Sequence, residues 1–467
     1  MDFSRRSFLR TAGLGAAALV GCGSAPEAPS DKAAARKPNV VMIMSDDLGV
    51  EAIGCYGGES YKTPNIDKLA ASGVRFTNAY AQPLCTPTRL QLMTGEYNFR
   101  NWYGFGLLRP EEKTFGHQMS AAGYKTCIAG KWQLWSYNPP EFEPEFRGLG
   151  QKPEDSGFDD WFLWHARHTE EKGSRYGEPT IIDNGKPVDG AGKYGPDLYV
   201  DHINGFMEQH KDEQFFVYYP MALTHGPFNP TPESADWADG DRLRSDMKAY
   251  FGDMVEHMDA CVGRVVDKID ALGLREDTLI LYFSDNGTPK GVTSIQNGKP
   301  VDGGKGMPTD AGTHVPLIAS WKGVSPPGTV NDDMVDSTDL YATILDAGGA
   351  QPPSGVTIDG RSLLPEIRGE KGDPKDVIVV WHDPRPGAGK AAYTRLELFA
   401  RDKRFKLYDD GRLYDVPADI LEQHPIPEGE GGPEAQAARA KLRQALDAVP
   451  AEKRAPLWDP YAEFRKS

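Results

Sequence analysis

Two residue pairs and one cysteine motif have the types and spacing to do chemistry. Asp46-Asp47 follows the apolar run Val40 to Met44, and Asp285-Asn286 follows Thr278 to Ser284. If both runs are strands of one open α/β sheet, their carboxyl ends are where ligands gather. Four oxygen donors brought together there suit a hard cation, Ca²⁺ or Mg²⁺, and no His/Cys cluster invites zinc. Either pair alone is also an ordinary turn after a strand. The third feature is Cys85-Thr86-Pro87-Thr88-Arg89. A Cys-x-Pro-x-Arg run falls by chance about 0.02 times in a chain of this composition. Thr86-Pro87 predicts a helix running to Gly95, which sets Cys85 beside unpaired backbone N–H groups that favour an anion.

Such groups need a rigid frame. Asn39 to Met44 is continuously apolar, as in a strand buried on both faces of a parallel sheet. Thr63-Pro64 opens a helix with Ile66, Leu69 and Ala70 on one face and Gly73 as its stop. Thr114 caps another, Lys113 to Ala122, ahead of a strand from Tyr124 to Ala129. Further strands are expected over Gln214–Tyr219, Thr278–Ser284 and Val315–Trp321, and a long amphipathic helix over Asp241–Leu272 with Leu243 opening its stripe. Strands alternating with helices predict a doubly wound α/β sheet. After a Gly/Lys/Asp-rich break at Arg368–Asp376, Val377–Trp381, Thr394–Ala400, Phe405–Tyr408 and Arg412–Val416 read as an antiparallel meander, followed by a helix from Pro433 to Val449. The stretch from Trp135 to Tyr199 reads as loop-rich.

The chain has 467 residues, 39% hydrophobic and 26% charged, with a net charge of −16. This is a globular composition, too aromatic for disorder, too polar for a polytopic membrane protein and too acidic for sequence-independent nucleic-acid binding. Five cysteines are too few for a disulfide scaffold. Ser4-Arg5-Arg6-Ser7-Phe8-Leu9-Arg10 and the short Gly/Ala/Leu stretch after it resemble a twin-arginine export signal, and Leu19-Val20-Gly21-Cys22 resembles a bacterial lipobox. The resemblance implies removal of residues 1–21, lipidation of Cys22, a flexible tether over 22–37, and a periplasmic or cell-surface lipoprotein anchored by its lipid. Losing residues 1–21 removes three arginines and one aspartate, taking the charge to −18.

Cys85 to Arg89 resembles the signature of the formylglycine-dependent (type I) sulfatases of the alkaline phosphatase superfamily. Other motifs follow in family order. Asp46-Asp47-Leu48-Gly49 and Ser284-Asp285-Asn286-Gly287 look like the two metal motifs, Gly130-Lys131-Trp132 and Gly304-Lys305-Gly306 like the lysine loops, and Thr224-His225-Gly226-Pro227 like the histidine segment. The similarity covers nearly all of the chain after the tether. It implies a mixed, mostly parallel α/β sheet sandwiched by helices over residues 38–370 and a small C-terminal α+β subdomain with an antiparallel sheet over 371–467. It implies one divalent cation, Ca²⁺ first and Mg²⁺ second, held by Asp46, Asp47, Asp285, Asn286 and residue 85. It also implies oxidation of Cys85 to 3-oxoalanine (formylglycine) by a formylglycine-generating maturation enzyme. The hydrated aldehyde would attack sulfur and later eliminate sulfate. Arg89 would steady it, Lys131 and Lys305 would bind sulfate oxygens, and His225 would protonate the leaving alcohol, a role suited to its unperturbed pKa.

One position departs from the family. Gln133 stands where a histidine is usual, so it can hydrogen-bond substrate but cannot take a proton, which leaves the base for the elimination open. The substrate reading is a sulfated sugar or related sulfate ester. Two alternatives are a formylglycine-dependent phosphodiesterase or phosphonate monoester hydrolase, and an inactive glycan-binding lipoprotein. His165 and His168, beside Trp161 and Trp164, are read equally as a sugar subsite or as packing. His257, His382, Cys55, Cys127 and Cys261 are read as structural.

Overall fold

The computed structural model describes residues 37–137, 144–387 and 396–462. The segments expected to be an export signal (1–21) and most of a tether (22–37), with Cys22, lie outside them. Ten strands form one sheet in the spatial order Thr329–Asp336, Val74–Tyr80, Leu317–Ser320, Thr278–Ser284, Asn39–Ser45, Phe215–Pro220, Lys125–Lys131, Asp160–Trp164, Ile181–Asp183 and Lys186–Pro187. Leu317–Ser320 and Ile181–Asp183 run against the rest, so the sheet is mixed but mostly parallel. The central strand explains its own apolar run. Val40, Met42 and Met44 enter one core and Val41 and Ile43 the other, so consecutive side chains are buried on opposite faces.

Helices cover both faces. Cys85–Thr94, Phe115–Ala121 and Ser337–Gly348 contribute Leu90, Met119 and Leu340 to the first core. Pro64–Ala71, Gly195–Gln209 and Met247–Ala271 contribute Ile66, Ile203 and Met254 to the second. Among the described residues no helix is long and apolar enough to cross a membrane.

Several local expectations need correction. The long helix starts at Met247 rather than Asp241, because the Asp246 carboxylate accepts from the N–H groups of Lys248 and Ala249 and ends the loop there. Leu243 is therefore outside the stripe and 58% exposed. Thr63 does not cap its helix with its hydroxyl, which accepts from Gly54 N instead. The cap comes from across the fold, where Asp259 of the long helix takes the N–H groups of Asn65 and Ile66 at 3.1 and 2.8 Å. The supposed loop stretch holds the strand Asp160–Trp164 and the start of the helix Gly195–Gln209.

A second sheet, Ile378–His382, Glu397–Arg401, Phe405–Tyr408 and Leu413–Asp415, is an antiparallel meander packed under the helix Gly432–Asp447. Two of its buried cations reach into the larger part. Arg401 pairs with Asp310 and lies 3.9 Å over the Tyr80 ring, and the Lys406 ammonium donates to Pro308 O and pairs with Glu422 at 2.6 Å. Residues from Lys37 on cluster as one unit, within which we propose 371–467 as a subdomain on the strength of its separate sheet.

Candidate active site

The strands Asn39–Ser45 and Thr278–Ser284 are parallel neighbours with Ser45 opposite Ser284, so Asp46-Asp47 and Asp285-Asn286 leave the sheet side by side. Asp47 N donates to Asp285 Oδ1 at 3.0 Å, and Asn286 Nδ2 donates to Asp47 Oδ1 at 2.8 Å. Asp47 adopts φ 66°, a left-handed conformation uncommon outside glycine and one that recurs at functional sites. The helix that begins at Cys85 is tied to the same strand end. Thr88 donates its hydroxyl to Asp285 O at 2.6 Å and accepts from Gln82 N at 3.0 Å. Ligand atoms of Asp46, Cys85 and Asp285, all buried, lie within 4.8 Å of one another.

Cations surround this cluster. Arg89 reaches Asp285 at 3.2 Å and Asp46 at 3.7 Å and donates to Lys131 O. Lys131 closes the strand Lys125–Lys131 with its ammonium 2.8 Å from Asp46 and no exposure. Gly130 before it has φ 139°, and a Cβ there would meet Pro220 O at 2.0 Å, so only glycine lets the lysine strand approach so closely. Lys305 sits in a loop whose Gly306 N donates to Pro83 O, and its ammonium is 2.6 Å from Asp47. Thr224 fixes the histidine segment by donating its N–H to Asp46 O and its hydroxyl to Asp47 O. His225 Nδ1 lies 2.6 Å from Gly226 O, an acceptor only, so Nδ1 carries hydrogen and Nε2 faces Asp47 at 3.8 Å. The His225 and Lys305 side chains keep 26% and 20% exposure, which makes them the open side of a buried centre.

The electrostatics fit a cation. Burial alone would raise Asp46, but Lys131, His225, Arg89 and Lys305 hold its carboxyl well below the usual range. Burial and then the Asp46 charge push Asp285 up to about 8 against Arg89 and Lys131. Burial also pushes the Cys85 thiol up, so it stays protonated. Two buried oxygens, Asp46 Oδ1 and Asn286 Oδ1, find no hydrogen-bond partner among the described residues, an expensive arrangement that a hard cation would relieve. The three carboxylates are offset by Arg89, Lys131 and Lys305, so a divalent cation would leave surplus positive charge for an anionic substrate.

His225 does not keep its ordinary pKa. Burial, then Lys305 and Arg175, hold the imidazole well below it. Gln133 is buried with φ 54° and donates its N–H to His165 O, and its side chain makes no hydrogen bond among the described residues. His165 Nε2 contacts Ser136 O and Thr169, and His168 stacks on Trp135 at 4.5 Å, so both rings brace the 135–137 segment. His257 is buried between Glu233 and Asp197. His382, Cys127 and Cys261 are buried in the fold, and Cys55 is partly buried. Sequence reading did not single out Thr88, Thr224 or Arg175. The first two lie inside quoted motifs, where a hydroxyl beside the reactive residue was the available signal.

A sulfatase family model matches residues 38–350. Arylsulfatase A of Homo sapiens is 33% identical over 372 residues, 75% of this chain and 71% of that protein. N-acetylgalactosamine-6-sulfatase of Canis lupus familiaris is 30% identical over 376 residues, 72% of this chain and 67% of that one. A protein solved in complex with its substrate D-glucosamine-2-N,6-O-disulfate superposes with a TM-score of 0.71 at 22% identity, covering 91% of this chain and 99% of that one. Phosphonate monoester hydrolase of Agrobacterium radiobacter superposes at 0.65 with 19% identity, covering 89% and 96%. At such identities the superpositions speak for the fold alone, which is alkaline-phosphatase-like. The enzyme is thus a hydrolase of sulfuric esters. By the match over residues 38–350 and these relatives, the chain belongs to the sulfatase family.

Proposed function

We propose that this sulfatase removes sulfate from a sulfated carbohydrate, using formylglycine made from Cys85 and one divalent cation, Ca²⁺ in preference to Mg²⁺. The observation that carries the reading is the buried Cys85 thiol set among Asp46, Asp285, Arg89 and Lys131. A sugar substrate is supported by the amino-sugar sulfates in the names of two similar proteins. When bound, a cation on Asp46, Asp47, Asp285 and Asn286 would neutralise sulfate charge and acidify a hydroxyl on residue 85, which oxidation of the thiol and hydration would supply. Lys131 and Lys305 would bind sulfate oxygens, most strongly as charge grows in the transition state. Arg89 would orient the attacking hydroxyl. His225 Nε2 would hand a proton to the departing alcohol oxygen, its charge favoured once an anion sits beside Lys305. The same nitrogen, when neutral, accepts a proton, which Gln133 cannot do. We propose further that the protein is exported by the twin-arginine route and tethered at Cys22.

The test is peptide mass spectrometry across residue 85 on protein made with a formylglycine-generating enzyme, together with turnover of aryl sulfate and aryl phosphate. An aldehyde at residue 85 and sulfate turnover well ahead of phosphate are expected. An unmodified thiol beside an active maturase, with no aryl sulfate turnover, overturns the reading, and phosphate ahead of sulfate moves it to the phosphodiesterase class.

A further inference from the structure

Arg175 is 7% exposed, and its Nη1 is buried without a hydrogen-bond partner among the described residues. No described carboxylate forms an ion pair with it. Its guanidinium lies 4.0 Å over the Trp164 ring, a contact that holds the group but leaves its N–H edge unspent. A buried arginine without an anion is costly, and such a group persists where a ligand completes it.

Its place in the fold says which ligand. Trp164 ends the strand beside Lys125–Lys131 and pairs in register with Lys131. The next residue, Tyr176, sets its hydroxyl on Ala222 O at 2.5 Å and on His225 O, tying this loop to the histidine segment. Arg175 is therefore held between the Lys131 strand and the His225 segment. Its charge is felt at His225, His165 and Tyr137, and after burial it joins Lys131 in depressing the half-buried Lys172. Lys131 and Lys305 already have carboxylates, whereas Arg175 has none.

We propose that Arg175 is a specificity-determining residue that receives a second oxyanion of the substrate, a carboxylate or another sulfate, on the sugar that bears the scissile sulfate. The proposal rests on the sulfatase reading above but concerns a different group of the substrate. A planar guanidinium binds either oxyanion bidentately, so the shared chemistry is two oxygens carrying negative charge. It also reconciles an acidic protein with an anionic glycan, since attraction is local to this edge.

The test compares kcat/KM of the matured enzyme and of Arg175→Gln and Arg175→Lys on three substrates: an aryl sulfate, a disulfated hexosamine and a sulfated uronic acid. For at least one doubly charged sugar, Arg175→Gln is expected to lose at least tenfold more than it loses on aryl sulfate, chiefly through KM, with Arg175→Lys in between. The sugar that shows the difference names the oxyanion. Equal losses on all three would mean that Arg175 acts through His225 and overturn the proposal, as would no loss. A binding arm needs neither turnover nor a folded Arg175 variant. Calorimetric titration of the Cys85→Ala protein should show at least tenfold tighter binding of a doubly than of a singly charged sugar, and equal affinities overturn the proposal. Absence of aryl sulfate turnover in the matured wild type would instead count against the sulfatase reading, leaving the titration to decide this one.

Discussion

The two lysines of the site differ in what they give up if removed. Lys131 is wholly buried against Asp46, so Lys131→Ala withdraws the charge proposed to bind sulfate and leaves a buried carboxylate with only the longer 3.7 Å contact to Arg89. We expect kcat to fall about 10²–10³-fold and the melting temperature to drop with it, the stability loss being about 3–5 kcal/mol. Lys305 keeps part of its side chain in solvent, and Lys305→Ala should lose comparable activity with a smaller melting shift. Steady-state kinetics and thermal melts on the pair check this. Gln133→His should leave turnover intact or raise it, since the Gln133 side chain makes no hydrogen bond among the described residues that the change would break; a large loss would show that the amide has its own role. The motif residues were legible because this chemistry dictates residue type at short spacing. Arg175 was not, because its meaning lies in a missing partner, and only the fold reveals who stands next to whom.

At the scale of elements, the long helix Met247–Ala271 fastens the second face of the sheet through two acidic or cationic side chains. Asp259 caps the helix Pro64–Ala71 from outside, and Asp259→Ala should cost about 1–2 kcal/mol, read as a lower melting temperature with unchanged fold by circular dichroism. His257 joins Glu233 at 2.8 Å and Asp197 at 3.2 Å, the latter an ion-pair contact without hydrogen-bond alignment. Burial opposes its charge, but contacts with Asp197, Cys261 and Glu233 push its pKa up to about 12. Because the folded value exceeds the ordinary 6.5, this stabilisation is complete below about pH 6.5 and drains away as pH rises toward 12. The partner carboxylates work in the opposite sense: Glu233, drawn down to about 2 from 4.5, loses its contribution as pH falls through that interval. Melting temperature should therefore decline from pH 7 to 9, and His257→Gln should flatten that decline. The apolar central strands and the Thr114 cap were readable from composition and spacing. Strand direction at Leu317–Ser320 and the acidic strand Thr329–Asp336 were not, since both depend on neighbours distant in sequence.

At the scale of the whole molecule, the small sheet does more than end the chain. Arg401 grips Asp310 and Lys406 grips Pro308 O, and both anchors lie a few residues beyond Lys305. Arg401→Met should reduce kcat/KM on aryl sulfate at least tenfold at temperatures well below its melting point, whereas a purely local role would leave kinetics untouched until unfolding. The family match ends at residue 350, so the Arg401 and Lys406 side chains that grip these anchors come from sequence outside it. Changes in the C-terminal hundred residues would thus act as a tuning screw on the proposed sulfate pocket, altering how firmly Lys305 is presented while every motif residue stays in place.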